Sequence, residues 1–82
     1  MPQKAQHARP YRVVPPFLRQ LREEAELTQR ALGDLLGKPQ SWVHNCETGN
    51  RRVDVTEFIE WCRACGAKPT VAVARLAGED RR

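Results

Sequence analysis

A chain of 82 residues makes one domain, and at this length only about 60% of the unfolded surface can be buried, so the core must be small. Fourteen Lys and Arg outnumber ten Asp and Glu for a net charge of +4, and residues 1–22 hold five basic residues and no acidic one, a field that favours nucleic acid or an acidic membrane surface. No apolar run approaches the ~20 residues that span a bilayer and the N-terminus lacks the apolar segment of a secretory signal, so no membrane association and a cytoplasmic location are expected.

Residues 1–14 show no periodic apolar face and carry Lys4, His7, Arg9 and Arg12 among prolines, the pattern of a flexible basic arm. Pro15 and Pro16 then open a helix with Val14, Phe17, Leu18, Leu21 and Ala25 on one side. Thr28 is the expected cap of a second helix, with Leu27 and Leu32 spaced as a hydrophobic staple. In that helix Leu32 and Leu36 share a face, and Gly33 between them has no side chain to hold a crossing helix away. Gly37 suits the left-handed residue that ends it, and Pro39 suits the first position of a third helix. There Val43 and Cys46 face inward, which turns Gln40, Ser41, His44, Asn45 and Thr48 outward. Asp54 caps a fourth helix, with Glu57 completing an acidic capping box and Val53 stapling to Phe58. Gly66 ends it, and Pro69 or Thr70 begins a fifth helix reaching about Ala77, ahead of a frayed tail at residues 79–82. The expected fold is all-α, five short helices, in a domain spanning residues 15–78, with no strand, internal repeat or low-complexity segment.

Residues 28–48 form the informative unit: a short helix, a glycine turn and a second helix with a polar, uncharged outer face. Such side chains hydrogen-bond to base edges in the major groove, and glutamine or asparagine can pair bidentately with adenine. The stretches LREEAELTQ, ALGDLLGKP, SWVHNCETGNRR and VDVTEFIEWCRACGAKP, between Phe17 and Pro69, together resemble the lambda-repressor and Cro type of helix-turn-helix, the Xre family of transcriptional regulators. Gly33 departs from the family's usual alanine, and Pro39 and Trp42 replace a small polar and a variable residue.

The resemblance implies roles for individual residues. Gln40, Ser41, His44 and Asn45 match base-reading positions. Gln29, at the N-terminus of helix two, matches a glutamine that contacts phosphate and braces the recognition helix. Arg51 and Arg52 fall in the loop where this fold approaches the DNA backbone, and Lys38 and Thr48 have a weaker claim to the same contact. Trp42 either lies along the DNA backbone or packs against helix two. Glu47, which DNA would repel, is implied to pair with Arg22 as a structural brace. The resemblance also implies a sequence-specific regulator, expected to be a repressor that reads a palindromic operator on double-stranded DNA as a homodimer. Trp61, Val73 and Leu76 are candidates for the dimer contact. The alternative is an antitoxin-type protein that binds a partner protein and regulates its own promoter.

No enzyme and no cofactor are expected: neither histidine has a serine or carboxylate at recognisable spacing, and no glycine-rich phosphate loop occurs. Cys62 and Cys65 form a CxxC to which Cys46 and His44 or His7 could add zinc ligands. Cys62 and Cys65 nevertheless follow Val55, Phe58 and Ile59 on the inner stripe of one helix, where cysteine behaves as a small hydrophobe, so they are assigned to the core and no metal is expected.

Overall fold

A computed structural model describes the backbone of residues 11–80 and the side chains of residues 11–78. Over that span the chain forms α1 (Val14–Glu24), α2 (Gln29–Leu36), α3 (Gln40–Thr48), α4 (Val55–Ala64) and α5 (Pro69–Asp80), with no strand among the described residues. α2 packs on α3, α1 crosses α3, α2 touches α4, and α5 closes against α4. Each helix places its apolar stripe in one core: Phe17, Leu18 and Leu21 from α1, Leu32 from α2, Val43 and Cys46 from α3, Phe58, Trp61 and Cys62 from α4, and Ala72 from α5. Phe17 and Phe58 stack with centroids 6.4 Å apart.

Local chemistry sets the helix ends. The Thr28 hydroxyl accepts the Ala31 N–H at 3.0 Å to start α2. At α4, Asp54 Oδ1 accepts from the Glu57 amide and Glu57 Oε1 accepts from the Asp54 amide, a complete capping box. Gly37 takes φ of 69° and closes α2, a conformation that would burden a residue with a side chain. α1 ends instead on Glu26 at φ of 59°, with the Leu27 N–H reaching back to the Arg22 carbonyl at 3.2 Å. Without a glycine there, nothing in the local sequence marks that stop.

Three boundaries differ from the sequence-based expectation. Most of the expected arm, including Lys4, His7 and Arg9, lies outside the described residues, but Tyr11 and Arg12 are already helical and α1 begins at Val14, not at the prolines. Tyr11 is held by Val53, far along the chain, a contact that no local pattern reveals. Pro39 is the N-cap of α3, not its first helical residue: its ψ of 159° is extended, and its carbonyl accepts the Trp42 N–H at 3.0 Å. α5 continues past Ala77 to Asp80, since one glycine, Gly78, costs a helix only about 1 kcal/mol; of the frayed tail, residues 81 and 82 lie outside the described residues.

Gly33 governs the turn between α2 and α3. A Cβ built there would lie 2.6 Å from the Lys38 carbonyl oxygen, and the Lys38 N–H in turn donates to the Gly33 carbonyl at 2.8 Å. The obstacle is backbone that cannot swing aside. Gly33→Ala gains up to about 1 kcal/mol of helix propensity but strains this contact by typically 1–3 kcal/mol. Thermal denaturation should therefore show a lower midpoint for the variant, and a raised midpoint would remove Gly33 from control of the turn.

Candidate nucleic-acid interface

Side chains alternate sharply around α3. Val43 and Cys46 are fully buried, Trp42 and Asn45 are half-buried, and Gln40, Ser41, His44 and Thr48 are exposed on one face. That face carries no charge on its exposed amide and hydroxyl groups. Asn45 Oδ1 receives the Asn50 amide at 3.5 Å, and the Asn45 carbonyl receives the Thr48 hydroxyl and the Arg51 N–H, which ties the end of α3 to the following loop.

A chain of polar contacts runs from the interior to this face. Glu47 is 9% exposed, the sole buried charged residue among those described, and its carboxylate meets Arg22 through Nε at 2.6 Å and Nη2 at 3.0 Å. The third donor used by Arg22 goes to the Leu27 carbonyl at 2.7 Å, so this planar fork links α1, the turn after it and α3. Hydrogen bonding to Glu47 raises the Arg22 pKa above its ordinary value, against the effect of burial. Gln29 Nε2 donates at 3.0 Å to Glu47 Oε1, the oxygen that also accepts from Arg22 Nη2, and Gln29 Oε1 accepts from Gln40 Nε2 at 3.2 Å. Because a carboxylate only accepts, the amide orientation of Gln29 is determined, and with it that of Gln40. Gln40 thereby keeps its carbonyl and one N–H free at the surface, the pair that adenine reading requires.

The cations differ in how they are held. Arg51 spends its fork on Glu57, at 3.1 and 2.9 Å, and on the Arg52 carbonyl at 2.8 Å. The same contact holds the Glu57 carboxyl below the usual carboxylate range. Arg51 also lies 4.9 Å from the Trp42 ring centroid, and Lys38 Nζ lies 5.2 Å from it. Trp42 itself is half-buried, its ring 6.2 Å from that of Trp61 on α4, a packing partner that the sequence does not indicate. Arg52 is exposed, and none of its N–H groups is donated to a described residue.

Trp61 cannot serve the dimer contact for which it was a candidate. It is 0% exposed and its indole Nε1 donates to the Leu18 carbonyl at 3.1 Å, because the inner stripe of α4 is wider than its three-residue spacing suggested. Val73 remains half exposed and Leu76 partly so, along an apolar groove of about 590 Å³ that Val55, Phe58, Ile59 and Pro69 also line.

Cys46 and Cys62 are fully buried and Cys65 is partly so; all three are free thiols. Burial raises each thiol pKa, that of Cys65 to about 11, as it does for a cysteine packed among apolar side chains. Among the described residues no group of three His, Cys, Asp or Glu is placed to hold a metal, and His7 lies outside them. Cys62→Ala should cost on the order of 1 kcal/mol through a small cavity. A chelator should leave the melting transition of the unmodified protein in place; loss of helicity on chelation would return the cysteines to a metal site.

No described helix is long and apolar enough to cross a membrane. The helix-turn-helix domain family matches residues 17–76. A solved XRE-family like protein from Pseudomonas syringae pv. tomato is 35% identical, with 94% of each chain covered and a TM-score of 0.84. The clp gene regulator ClgR from Corynebacterium glutamicum shares the fold at 22% identity and a TM-score of 0.75, over 84% of this chain and 73% of its own. No curated protein matches. With the family match spanning the buried core from Phe17 to Ala72, the chain belongs to the helix-turn-helix domain family and has the fold of an XRE-type DNA-binding regulator, not that of an enzyme.

Proposed function

We propose that the protein is a transcriptional repressor that binds a palindromic operator as a homodimer and acts by excluding polymerase. The observation that carries this reading is the oriented amide of Gln40, fixed through Gln29 to the Arg22–Glu47 pair at the head of a polar, exposed helix face. A preset donor and acceptor suit base discrimination, since no rotamer must be chosen at the moment of binding. Ser41, His44 and Asn45 extend the reading surface. Arg52, with its donors unspent, supplies backbone affinity, while Arg51 serves to hold the loop against Glu57. Lys38, Thr48 and Gln29 flank the same face.

The apolar groove between α4 and α5 supports the dimer. Exposed Val55 and Val73 line it, an apolar surface that favours burial against a second copy. Two recognition helices about one DNA turn apart would read matching half-sites.

Selection of bound sequences from a random duplex pool tests the reading, and a symmetric motif is the expected result. Gln40→Ala should lose about 1–3 kcal/mol at one base position per half-site and relax the preference there. Equal weakening on every sequence would reduce Gln40 to a backbone contact, and an asymmetric motif would set aside the dimer.

A further inference from the structure

We propose that Tyr11 is a positioning residue of the DNA contact: it holds the loop after α3 and presents the Arg52 guanidinium to the duplex backbone. This rests on the reading of Arg52 as a backbone contact. Tyr11 lies ahead of α1 and outside the matched family region, which begins at residue 17. Its hydroxyl accepts the Val53 N–H at 3.0 Å across 42 residues of sequence. Val53 belongs to no helix, so its amide has no intrahelical partner, and this bond fixes the loop just where Arg52 leaves it.

The Tyr11 ring does the second part. Arg52 Cζ lies 4.2 Å from its centroid, nearer than any other described cation approaches a described ring. Stacking occupies the flat face of a guanidinium and leaves its N–H donors, which lie in the plane, free for an anion. The neighbouring Arg51 is the reverse case, three of its five N–H donors being given to Glu57 and the Arg52 carbonyl. An unsupported arginine loses rotamer freedom when it grips a phosphate; one already laid on a ring loses less. The gain is independent of base sequence, so Tyr11 governs affinity for all duplexes alike.

The test is a double-variant cycle on the full chain, with binding measured on the selected duplex and on a random one across a salt series. Arg52→Ala should lower the slope of log affinity against log salt by about one. Tyr11→Leu should weaken binding to both duplexes by an equal factor of about 2 to 5, the equivalent of one exposed cation–π contact. That factor should vanish in the Arg52→Ala background, and Tyr11→Phe, which keeps the ring but loses the bond from the Val53 N–H, should be weakened by a smaller factor than Tyr11→Leu. A Tyr11→Leu effect that persists without Arg52, or a Tyr11→Phe variant as weak as Tyr11→Leu, overturns the proposal while leaving the reading of Arg52 intact. An unchanged salt slope in Arg52→Ala overturns both. Should Tyr11→Leu not fold, upfield ring-current shifts of the Arg52 δ protons in the unmodified protein carry the test, and their loss in the DNA complex overturns the proposal.

Discussion

Glu47→Ala is expected to destabilise the domain by about 3 kcal/mol or more, because it leaves the Arg22 guanidinium, with a side chain only 11% exposed, facing its site without a counter-charge. Arg22→Ala should cost as much, since the Glu47 side chain is 3% exposed. Folded domains hold only about 5–15 kcal/mol in total, so either variant removes a large share of the stability. The double alanine variant should be milder than the sum, and additive losses in denaturant melts would mean that the two residues do not act as a pair. A second pair of substitutions separates fold from function. Replacing both residues together by apolar ones of similar volume, Arg22→Met with Glu47→Leu, can be neutral for stability. It nevertheless removes the carboxylate that orients Gln29 and through it Gln40. Base discrimination at the Gln40 position should then fall while the melting midpoint holds. Retained discrimination would show that Gln40 orients itself.

Trp61→Ala should be the most damaging single change in the core, at about 3–5 kcal/mol, because the largest fully buried side chain leaves a cavity that four helices cannot close. At roughly 4–8 °C per kcal/mol for a domain of this size, the midpoint should fall by more than ten degrees or the transition disappear. Trp61→Phe keeps much of the volume but withdraws the indole donor from the Leu18 carbonyl, and should cost about 1–2 kcal/mol. Equal losses for the two variants would mean that the hydrogen bond, and not the packed volume, dominates. Trp61→Phe should leave the concentration dependence of the proposed dimer unchanged, because Trp61 offers no surface to a second copy.

Much of the helix scheme was legible because it is built from short-range chemistry. Thr28, Asp54 with Glu57, Gly37 and Gly66 act on amides and carbonyls within a few residues of themselves, so their types and spacing are enough to place helix ends. The polar face of α3 could be read from its periodicity for the same reason. Where the signal was absent, as at Glu26, a residue with no left-handed preference of its own takes φ of 59° beside Leu27, whose carbonyl the Arg22 guanidinium holds. Pro39 was misplaced by one residue because its ring sets φ alone, and φ near −70° serves both the cap and the first helical position.

The fate of the cations and aromatics was decided by the tertiary structure. Arg51 and Arg52 are adjacent and chemically identical, yet Glu57 takes the donors of one and Tyr11 only the face of the other. Trp61 falls on a helix edge by periodicity, and only the arrival of Leu18 across 43 residues of sequence makes that edge interior. Sequence by itself determined the all-α class, the helix-turn-helix unit and the face that α3 exposes, because periodicity and capping are properties of a chain interacting with its near neighbours. The tertiary structure alone decided which charged donors remain unspent and which aromatic is core, because those depend on partners that meet only when distant segments fold together.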